Sequence, residues 1–253
     1  MPSELRSRIH RPHTPDLDLP PAFREVTLRE AGDAFGDACR TAGKEGAGTL
    51  VWVRRFDIVE FAVVLEPEEP LAAARRSLYT GLCALFDTLA VHAPPEKLIQ
   101  FVWPDAILVD GGLVAGARLG WPKKADEKAP SPWLVFGAMV RTSIMGAGEP
   151  GSRPDSAALE DEGFEELGSG RLIETFARHL MVWVDVFQQD GFRPIAEHYL
   201  QRLPVDEAVE RSIDGMGDLL TRPKGKLDTK KQKLKPALEK RAWYDAESRG
   251  LKL

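Results

Sequence analysis

The composition of this 253-residue chain is that of a globular protein with an ordinary hydrophobic core. Hydrophobic residues make up 43% of the chain, and its net charge of −5 argues against a general affinity for nucleic acid. The first residues lack the apolar segment of a secretory signal, and no apolar run is long enough to cross a bilayer. We therefore expect a cytoplasmic protein that binds neither nucleic acid nor membranes.

The first half of the chain predicts, in order, an extended arm, a helix, a β-hairpin and a second helix. Their bounds are 1–22 for the arm, 28–42 for the helix, 49–53 and 58–65 for the hairpin strands, and 71–92 for the second helix. The arm is predicted from its five prolines, and the hairpin from two β-branched runs separated by only four residues. In the second helix, leucines recur at helical spacing: Leu78, Leu82, Leu85 and Leu89.

The second half predicts a series of strands followed by helices. The strands span 98–102, 107–109, 113–119 and 133–142, and the helices span 171–189 and 194–203. The turn Asp110-Gly111-Gly112 is a strong hairpin signal, because glycine supplies positive φ without steric cost. The Gly-, Pro- and Ser-rich stretch 145–156 predicts a mobile loop. Together the elements predict an α/β fold of the α+β type, with a mixed central sheet flanked by helices.

The two cysteines, Cys39 and Cys83, lie in apolar runs of helical character. Free cysteine is among the most buried residue types, so we interpret both as reduced core thiols. The sequence shows neither a disulfide framework nor metal-ligand spacing, and we predict no metal site.

One stretch, Phe101 to Gly116, contains the most specific motif of the chain. It reads Phe-Val-Trp-Pro-Asp-Ala-Ile-Leu-Val-Asp-Gly-Gly-Leu-Val-Ala-Gly. This resembles the core motif of the biotin/lipoate protein ligases, roughly W-P-N-D, a short strand, a D-G-x-K turn and A-G. The likeness extends over most of residues 25–220. It implies a ligase-like (class II synthetase-like) domain over 23–205, and a small C-terminal unit over 206–253 with a basic tail.

The resemblance implies a reaction in two steps. A carboxylate such as biotin or lipoate attacks ATP to form an acyl-adenylate, and a lysine of a carrier protein then takes the acyl group. Backbone amides and arginines must hold the phosphates and the acid, a lysine must stabilise the developing charge, and a loop must exclude water. ATP and Mg²⁺ are therefore expected as reactants only if ligase activity is retained.

This chain departs from the family pattern at each of these parts. The Gly/Arg-rich loop of the family is replaced by Arg54-Arg55-Phe56-Asp57, and the turn lysine by Leu113. Asp105-Ala106 stands for the Asn-Asp pair, and the later Gly-x-Gly-x-Asn stretch aligns loosely with 137–141. A leucine carries no charge and donates no hydrogen bond, so we predict impaired adenylation and assign no catalytic residue.

Several positions of the motif remain candidates for ligand binding. Trp103 is interpreted either as a pocket wall or as a core aromatic, and Asp105 either as a ligand of Mg²⁺ or an amine, or as a turn cap. Ala115-Gly116 either lets a ligand approach the backbone or eases strand packing. The full candidate set is Trp103, Asp105, Leu113, Ala115, Gly116, Arg118, Arg54 and Arg55.

Arginines offer a replacement for the missing lysine. Arg118 or Arg141 has the planar fork that pairs with a carboxylate through two hydrogen bonds. Arg54 and Arg55 are either remnants of the phosphate-binding loop or solvated hairpin residues. The basic tail, 222–241, contains nine Lys/Arg against two acids, so it either docks an acidic carrier domain or is simply solvated.

Three functions follow as hypotheses. The first is a member that binds a small carboxylate ligand, or a biotin- or lipoate-type carrier protein, with impaired adenylation. The second is an active ligase or acyltransferase that attaches biotin, lipoate or another acid to a carrier lysine. The third is a structural protein that keeps only the fold.

Overall fold

A seven-stranded mixed sheet forms the centre of the protein, in a computed structural model that describes residues 17–144, 155–164 and 167–252. Its strands, in chain order, are β1 (Arg24–Leu28), β2 (Thr49–Val53), β3 (Ile58–Leu65), β4 (Ile99–Val102), β5 (Ala106–Val109), β6 (Gly112–Gly120) and β7 (Leu134–Arg141). They lie in the order β1-β2-β3-β7-β6-β5-β4. Only the pair β1–β2 is parallel among these neighbours. The mixed sheet confirms the predicted fold class.

The short connections between consecutive strands explain much of this strand order. Short turns join β2 to β3 and connect β4, β5 and β6, so these strands pair antiparallel with their neighbours in the chain. β7 returns along β6 and pairs on its other side with β3, with Phe61 opposite Ala138. The motif strands β5 and β6 therefore lie beside the centre of the sheet.

Six helices accompany the sheet within the described residues. They are α1 (Ala34–Glu45), α2 (Leu71–Ala74), α3 (Ser77–Ala90), α4 (Ser169–Asp190), α5 (Arg193–Leu200) and α6 (Leu234–Lys240). No described helix combines the length and hydropathy needed to cross a membrane. Helices α3, α4 and α5 pack together on one face of the sheet, and α1 packs on the other.

Residues of β3 alternate between these two faces. Phe61 and Val63 enter the main core with α3 and α4, whereas Ala62 and Val64 pack against α1. Because both faces are covered, β3 is apolar almost throughout, as expected of a central strand. Helix α1 covers only part of its face, and the remainder, over β5–β7, lies at the motif.

Most predicted elements are confirmed, with two corrections near the start of the chain. The predicted helix over 28–42 begins later, at Ala34, because Asp33 accepts a hydrogen bond from the Gly36 amide and caps it. The preceding residues form β1, an edge strand whose partly exposed residues gave no clear alternation. The predicted loop over 145–156 falls mainly outside the described residues, as does most of the arm.

The C-terminal residues form a small unit of short strands. β8 (Val209–Ile213), β9 (Leu219–Pro223) and β10 (Lys230–Gln232) make a three-stranded sheet, and β11 (Tyr244–Asp245) pairs with β12 (Gly250–Leu251). The division of the chain between 205 and 206 stays a prediction. The last pair, β11–β12, returns to the central sheet and contacts β6 and β7.

Candidate functional site

The outer side of β5, β6 and β7, beyond the end of α1, carries three buried charged residues, Asp105, Arg118 and Arg141. We call this surface the motif face; it is formed by Asp105, Ala106, Gly116, Arg118, Met139 and Arg141. Residues 241–252 cross it, and we call this segment the strap. Ala106 and Met139 pack with Trp243 and Leu251 of the strap in a buried cluster separate from the main core.

Gly116 lies directly beneath Trp243. A β-carbon built on Gly116 would lie 2.1 Å from Cδ2 of the Trp243 indole, a distance that real side chains do not adopt. Trp243 itself is only 3% exposed. The absence of a side chain at position 116 therefore allows an aromatic ring to lie flat against the backbone of β6.

Arg141, at the end of β7, fastens the strap to the sheet. Its Nη2 donates to the carbonyl oxygens of Leu251 at 2.9 Å and of Lys252 at 2.8 Å. Its Nη1 donates to the carbonyl of Leu113 at 3.2 Å and of Ala157 at 3.4 Å. The side chain is 3% exposed, and these backbone carbonyl groups are among the partners of its buried guanidinium.

Asp105 is buried beside Trp243 at the start of β5. Its carbonyl accepts a hydrogen bond from the Ala117 amide at 2.7 Å, which fixes the residue against β6. Burial raises the pKa of the carboxyl group to about 7, while the nearby Trp243 indole and Arg241 act in the opposite direction. Oδ2 of Asp105 and Nε1 of Trp243 both lack a well-formed hydrogen bond within the described residues.

Arg118 lies on the same face but is already neutralised. Its Nη2 is 3.1 Å from Oε1 of Glu60 and 3.7 Å from Oδ1 of Asp33. Its guanidinium also lies over the rings of Phe35 and Tyr244. Burial is the main cause that raises the pKa of Glu60, and Arg118 opposes it. The predicted pairing of Arg118 with a ligand carboxylate would have to compete with Glu60.

Two candidates of the motif lie on the other side of the sheet. Trp103 packs against the main core, where its Nε1 donates to the Tyr79 hydroxyl at 2.9 Å. Ala115 is fully buried in the same core. The structure thus brings Asp105, Leu113 and Gly116 together near the strap and separates them from Trp103 and Ala115.

The turn between β2 and β3 is as short as the sequence suggested. Arg55 forms a two-pronged pair with Asp57, with distances of 3.1 and 2.9 Å. The guanidinium of Arg54 lies 5.3 Å from the centre of the Trp52 ring. Arg55, but not Arg54, lines a cavity at the motif face.

Two cavities meet Arg118 from different sides. The smaller, about 160 Å³, lies between Glu60 and Met139 of the sheet and Tyr244, Ser248 and Arg249 of the strap. The larger, about 570 Å³, is a cleft between α1 and α6, with Phe35, Trp121 and Trp133 in its wall. A volume of this size is within the usual range for small-molecule sites.

The described residues contain no group of three or more His, Cys, Asp or Glu side chains placed to hold a metal ion. Burial raises the pKa of the Cys39 thiol to about 11 and that of Cys83 well above its ordinary value. Both are free cysteines that remain protonated at neutral pH, so neither is an activated nucleophile.

The strap was not predicted from the sequence. Trp243, Tyr244 and Leu251 supply its apolar contacts to the motif face, yet they follow a strongly basic tail without helical or strand periodicity. The available signal was the adjacent aromatic pair Trp243-Tyr244, which is unusual in an otherwise solvated segment.

The fold and the motif face define a class of protein that solved structures also represent. The chain aligns over 88% of its length with 99% of a biotin protein ligase-like protein of unknown function from Silicibacter sp. TM1040, with a TM-score of 0.75 and 24% identity. Biotin protein ligase from Aquifex aeolicus, solved in complex with biotin and ATP, aligns over 82% of this chain and 94% of its own, with a TM-score of 0.60 and 13% identity. At these identities the likeness concerns the fold.

The model of the Biotin/lipoate A/B protein ligase family matches residues 19–201. The chain therefore belongs to this family, as its motif predicted. A biotin–[acetyl-CoA-carboxylase] ligase from Paracoccus denitrificans is 28% identical over 162 residues, which are 60% of this chain. The chain spans only 62% of the length of that relative.

Proposed function

We propose that this protein is a family member that binds a small carboxylate, or a biotin- or lipoate-type carrier protein, and is impaired in forming acyl-adenylates. The observation that carries the proposal is the environment of Leu113, the position of the family's turn lysine. Leu113 packs against the apolar cluster that contains Trp243 and Leu251. The Leu113 side chain itself carries no charge with which to stabilise a reacting carboxylate.

The β2–β3 turn supports the same proposal. Residues 54–57 are too few to form a glycine-rich loop that wraps phosphate groups with successive backbone amides. One of its two arginines, Arg55, is paired with Asp57 in the same turn. A protein lacking both the loop and the lysine retains the fold of a ligase without two of the parts that stabilise its transition state.

Biotin is the first acid to test, because the curated relative is named as a biotin ligase and the Aquifex protein was solved with biotin and ATP. Lipoate and octanoate follow from family membership. On the protein side, the buried guanidinium of Arg141 at the motif face suits the carboxylate of such an acid. The aromatic cleft beside Arg118 suits the apolar part of the acid.

The test measures pyrophosphate release from Mg-ATP with biotin, lipoate or octanoate, using the full-length protein. We expect a rate no greater than that without acid. The Paracoccus denitrificans ligase, assayed in parallel, is the positive control. A turnover of about 0.1–10 per second, ordinary for an enzyme, would favour an active ligase or acyltransferase instead.

Binding without chemistry is measured by thermal unfolding with each acid in the absence of ATP. At a concentration of about 100 times its Kd, a ligand adds roughly 2.7 kcal/mol of stability. For a protein of this size that corresponds to a rise in Tm of roughly 5–10 °C. If no acid and no carrier protein binds, the hypothesis of a purely structural protein gains support.

A carrier protein remains the alternative ligand because of the basic C-terminal unit. Three of its cations pair with the chain's own carboxylates: Arg222 with Glu210, Lys231 with Asp214, and Lys235 with Glu127. Others, including Lys224, Lys226 and Lys230, are exposed. Docking of an acidic carrier domain there should weaken steeply between low and physiological salt, and salt-insensitive binding would place the carrier elsewhere.

A further inference from the structure

We propose that the strap is a displaceable occupant of the ligand site, and that it must leave the motif face before a carboxylate binds there. In this proposal Arg141 exchanges the strap carbonyls for the ligand carboxylate. The inference rests on the proposed function, because it assumes that the motif face takes a ligand. It goes beyond that function by making the strap a competitor of the ligand for the same site.

Several residues at positions that depart from the family pattern contact the strap. Ala106, Leu113 and Met139 pack with Trp243 and Leu251. Arg141, in the stretch that aligns loosely with the family's Gly-x-Gly-x-Asn, holds the carbonyl groups of the strap. The strap therefore lies on the face of the sheet where these positions converge.

The strap mimics a ligand in its polar contacts. Two adjacent carbonyl oxygens, of Leu251 and Lys252, accept hydrogen bonds from the same nitrogen of Arg141. A carboxylate also presents two oxygens, and its charge makes the hydrogen bonds to a guanidinium stronger than those of neutral carbonyls. An incoming carboxylate would therefore compete well for Arg141 once Trp243 has moved away from Gly116.

The attachment of the strap has features of a segment that can open. Its strands β11 and β12 contain two residues each and pair with each other. The strap is hydrogen-bonded to the central sheet through the side chain of Arg141. Arg241 and Arg249 have φ of 42° and 52°, in a region that residues other than glycine adopt at a cost. Among the described residues, the indole of Trp243 and the carboxyl of Asp105 also leave a buried polar atom each without a well-formed hydrogen bond.

The space beneath and beside the strap fits the proposed ligand exchange. Tyr244, Ser248 and Arg249 form the outer wall of the 160 Å³ cavity, whose inner wall includes Arg118 and Met139 of the sheet. Arg118 and Arg241 also line the 570 Å³ cleft. Moving the strap would remove Arg241 from the wall of the cleft and Tyr244, Ser248 and Arg249 from the wall of the smaller cavity, so both spaces would widen beside Arg118.

The first measurement is independent of any carboxylate. Hydrogen exchange is followed in the full-length wild-type protein, in Trp243→Ala, and in Leu251→Ala, a milder variant in case the first fails to fold. Amides of residues 244–252 should exchange about tenfold faster or more in both variants. Trp183→Ala, which removes the same side chain from α4 on the opposite face, should leave these amides unchanged.

The second measurement adds a synthetic peptide of residues 241–252 to full-length Trp243→Ala or Leu251→Ala. Saturable binding, absent for the same peptide carrying Trp243→Ala, would support the strap as an occupant of the motif face. If the peptide does not bind, or if the strap amides exchange equally in all variants, the proposal is overturned.

The third measurement compares biotin, lipoate and octanoate on wild type and variants. We expect Trp243→Ala to bind its carboxylate about tenfold tighter or more, because a competing state has been removed. Arg141→Gln added to that variant should abolish the gain. Equal affinity for wild type and Trp243→Ala would overturn the strap proposal and leave carboxylate binding intact. Peptide binding with no carboxylate binding to any variant would instead retain the strap and reject carboxylate binding.

Discussion

At the scale of the single residue, Asp105 is the most costly group in the motif face. The sequence presented it as a ligand or a turn cap, but the fold buries it to 4% exposure beneath an aromatic ring. Its environment favours the neutral acid, because water is excluded and the partner indole is not in good hydrogen-bonding geometry. Ionisation of Asp105 at neutral pH therefore destabilises the fold in which the strap covers the motif face.

The pKa of Asp105 predicts a pH dependence of stability. A carboxyl group with a folded-state pKa of about 7, against 3.8 ordinarily, costs nothing while protonated in both states. The cost grows as pH rises from 3.8 to 7, by roughly 1.4 kcal/mol per pH unit, and is constant above. Asp105→Asn should be more stable than wild type at pH 8, and this advantage should be smaller at pH 5 by on the order of 2 kcal/mol.

The measurement is urea unfolding of wild type and Asp105→Asn at pH 5, 6, 7 and 8. Asp110→Asn serves as the control, since Lys97 lowers the pKa of Asp110 and its ionisation is complete across this range. The difference in unfolding free energy between Asp110→Asn and wild type should stay constant. Parallel pH profiles for Asp105→Asn and wild type would contradict the assigned pKa.

The chemical character of the motif residues was evident from the sequence, but their contacts in the folded protein were not. Leu113 was recognised from its place in the turn, and its lack of charge follows from its chemistry alone. The contact of Gly116 with Trp243 joins positions 127 residues apart and has no local signal. Arg118 was the favoured partner for a carboxylate, yet only the fold reveals that Glu60 neutralises it.

At the scale of the element, most helices and strands were predictable from the sequence, because hydrophobic periodicity and turn chemistry are local. The hairpin of β2 and β3 and the strands β5 and β6 follow from short turns between apolar runs. The edge strand β1 was missed because it is half exposed and has only one partner strand. The predicted helix over 71–92 is interrupted at Arg75-Arg76, where Arg75 turns to pair with Glu127.

The packing of α3 on β7 depends on a glycine in the middle of the helix. A β-carbon on Gly81 would lie 2.3 Å from Cε2 of Phe136, which is fully buried. Gly81→Ala should therefore destabilise the protein by about 1–3 kcal/mol through overpacking, despite the better helix propensity of alanine. Urea unfolding measures the loss, and Phe136→Leu in the same chain should recover part of it.

Gly43→Ala is the matched control, because Gly43 also lies within a helix but has no close neighbour in its way. Its β-carbon would meet Trp133 at 3.7 Å, an ordinary contact. This variant should gain about 0.5–1 kcal/mol from reduced backbone entropy in the unfolded chain. A gain of similar size for Gly81→Ala would show that α3 can shift away from β7 without cost.

At the scale of the whole molecule, polar contacts, one of them buried, join the C-terminal unit to the central domain. The Tyr79 hydroxyl, on α3, donates to the Gly217 carbonyl at 2.7 Å and accepts from Trp103. Arg76 donates to the Gly215 carbonyl at 3.0 Å. With Arg141 holding the strap, these contacts anchor the unit at two places, the β8–β9 turn and the strap, so we expect it to unfold together with the central sheet.

Tyr79→Phe tests this coupling. Removal of the hydroxyl leaves the Gly217 carbonyl and the Trp103 indole N–H unpaired in a buried site, at a cost of about 1–3 kcal/mol. Tyr199→Phe is the matched control, since the Tyr199 hydroxyl is equally buried but donates to the Pro104 carbonyl within the central domain. Both variants should lower the urea midpoint, but hydrogen exchange in β8–β10 should accelerate only in Tyr79→Phe, because only there is an anchor of the C-terminal unit lost. Equal acceleration in the two variants would mean that the unit responds to global stability alone, and no acceleration in either would mean that Gly217 is not an anchor.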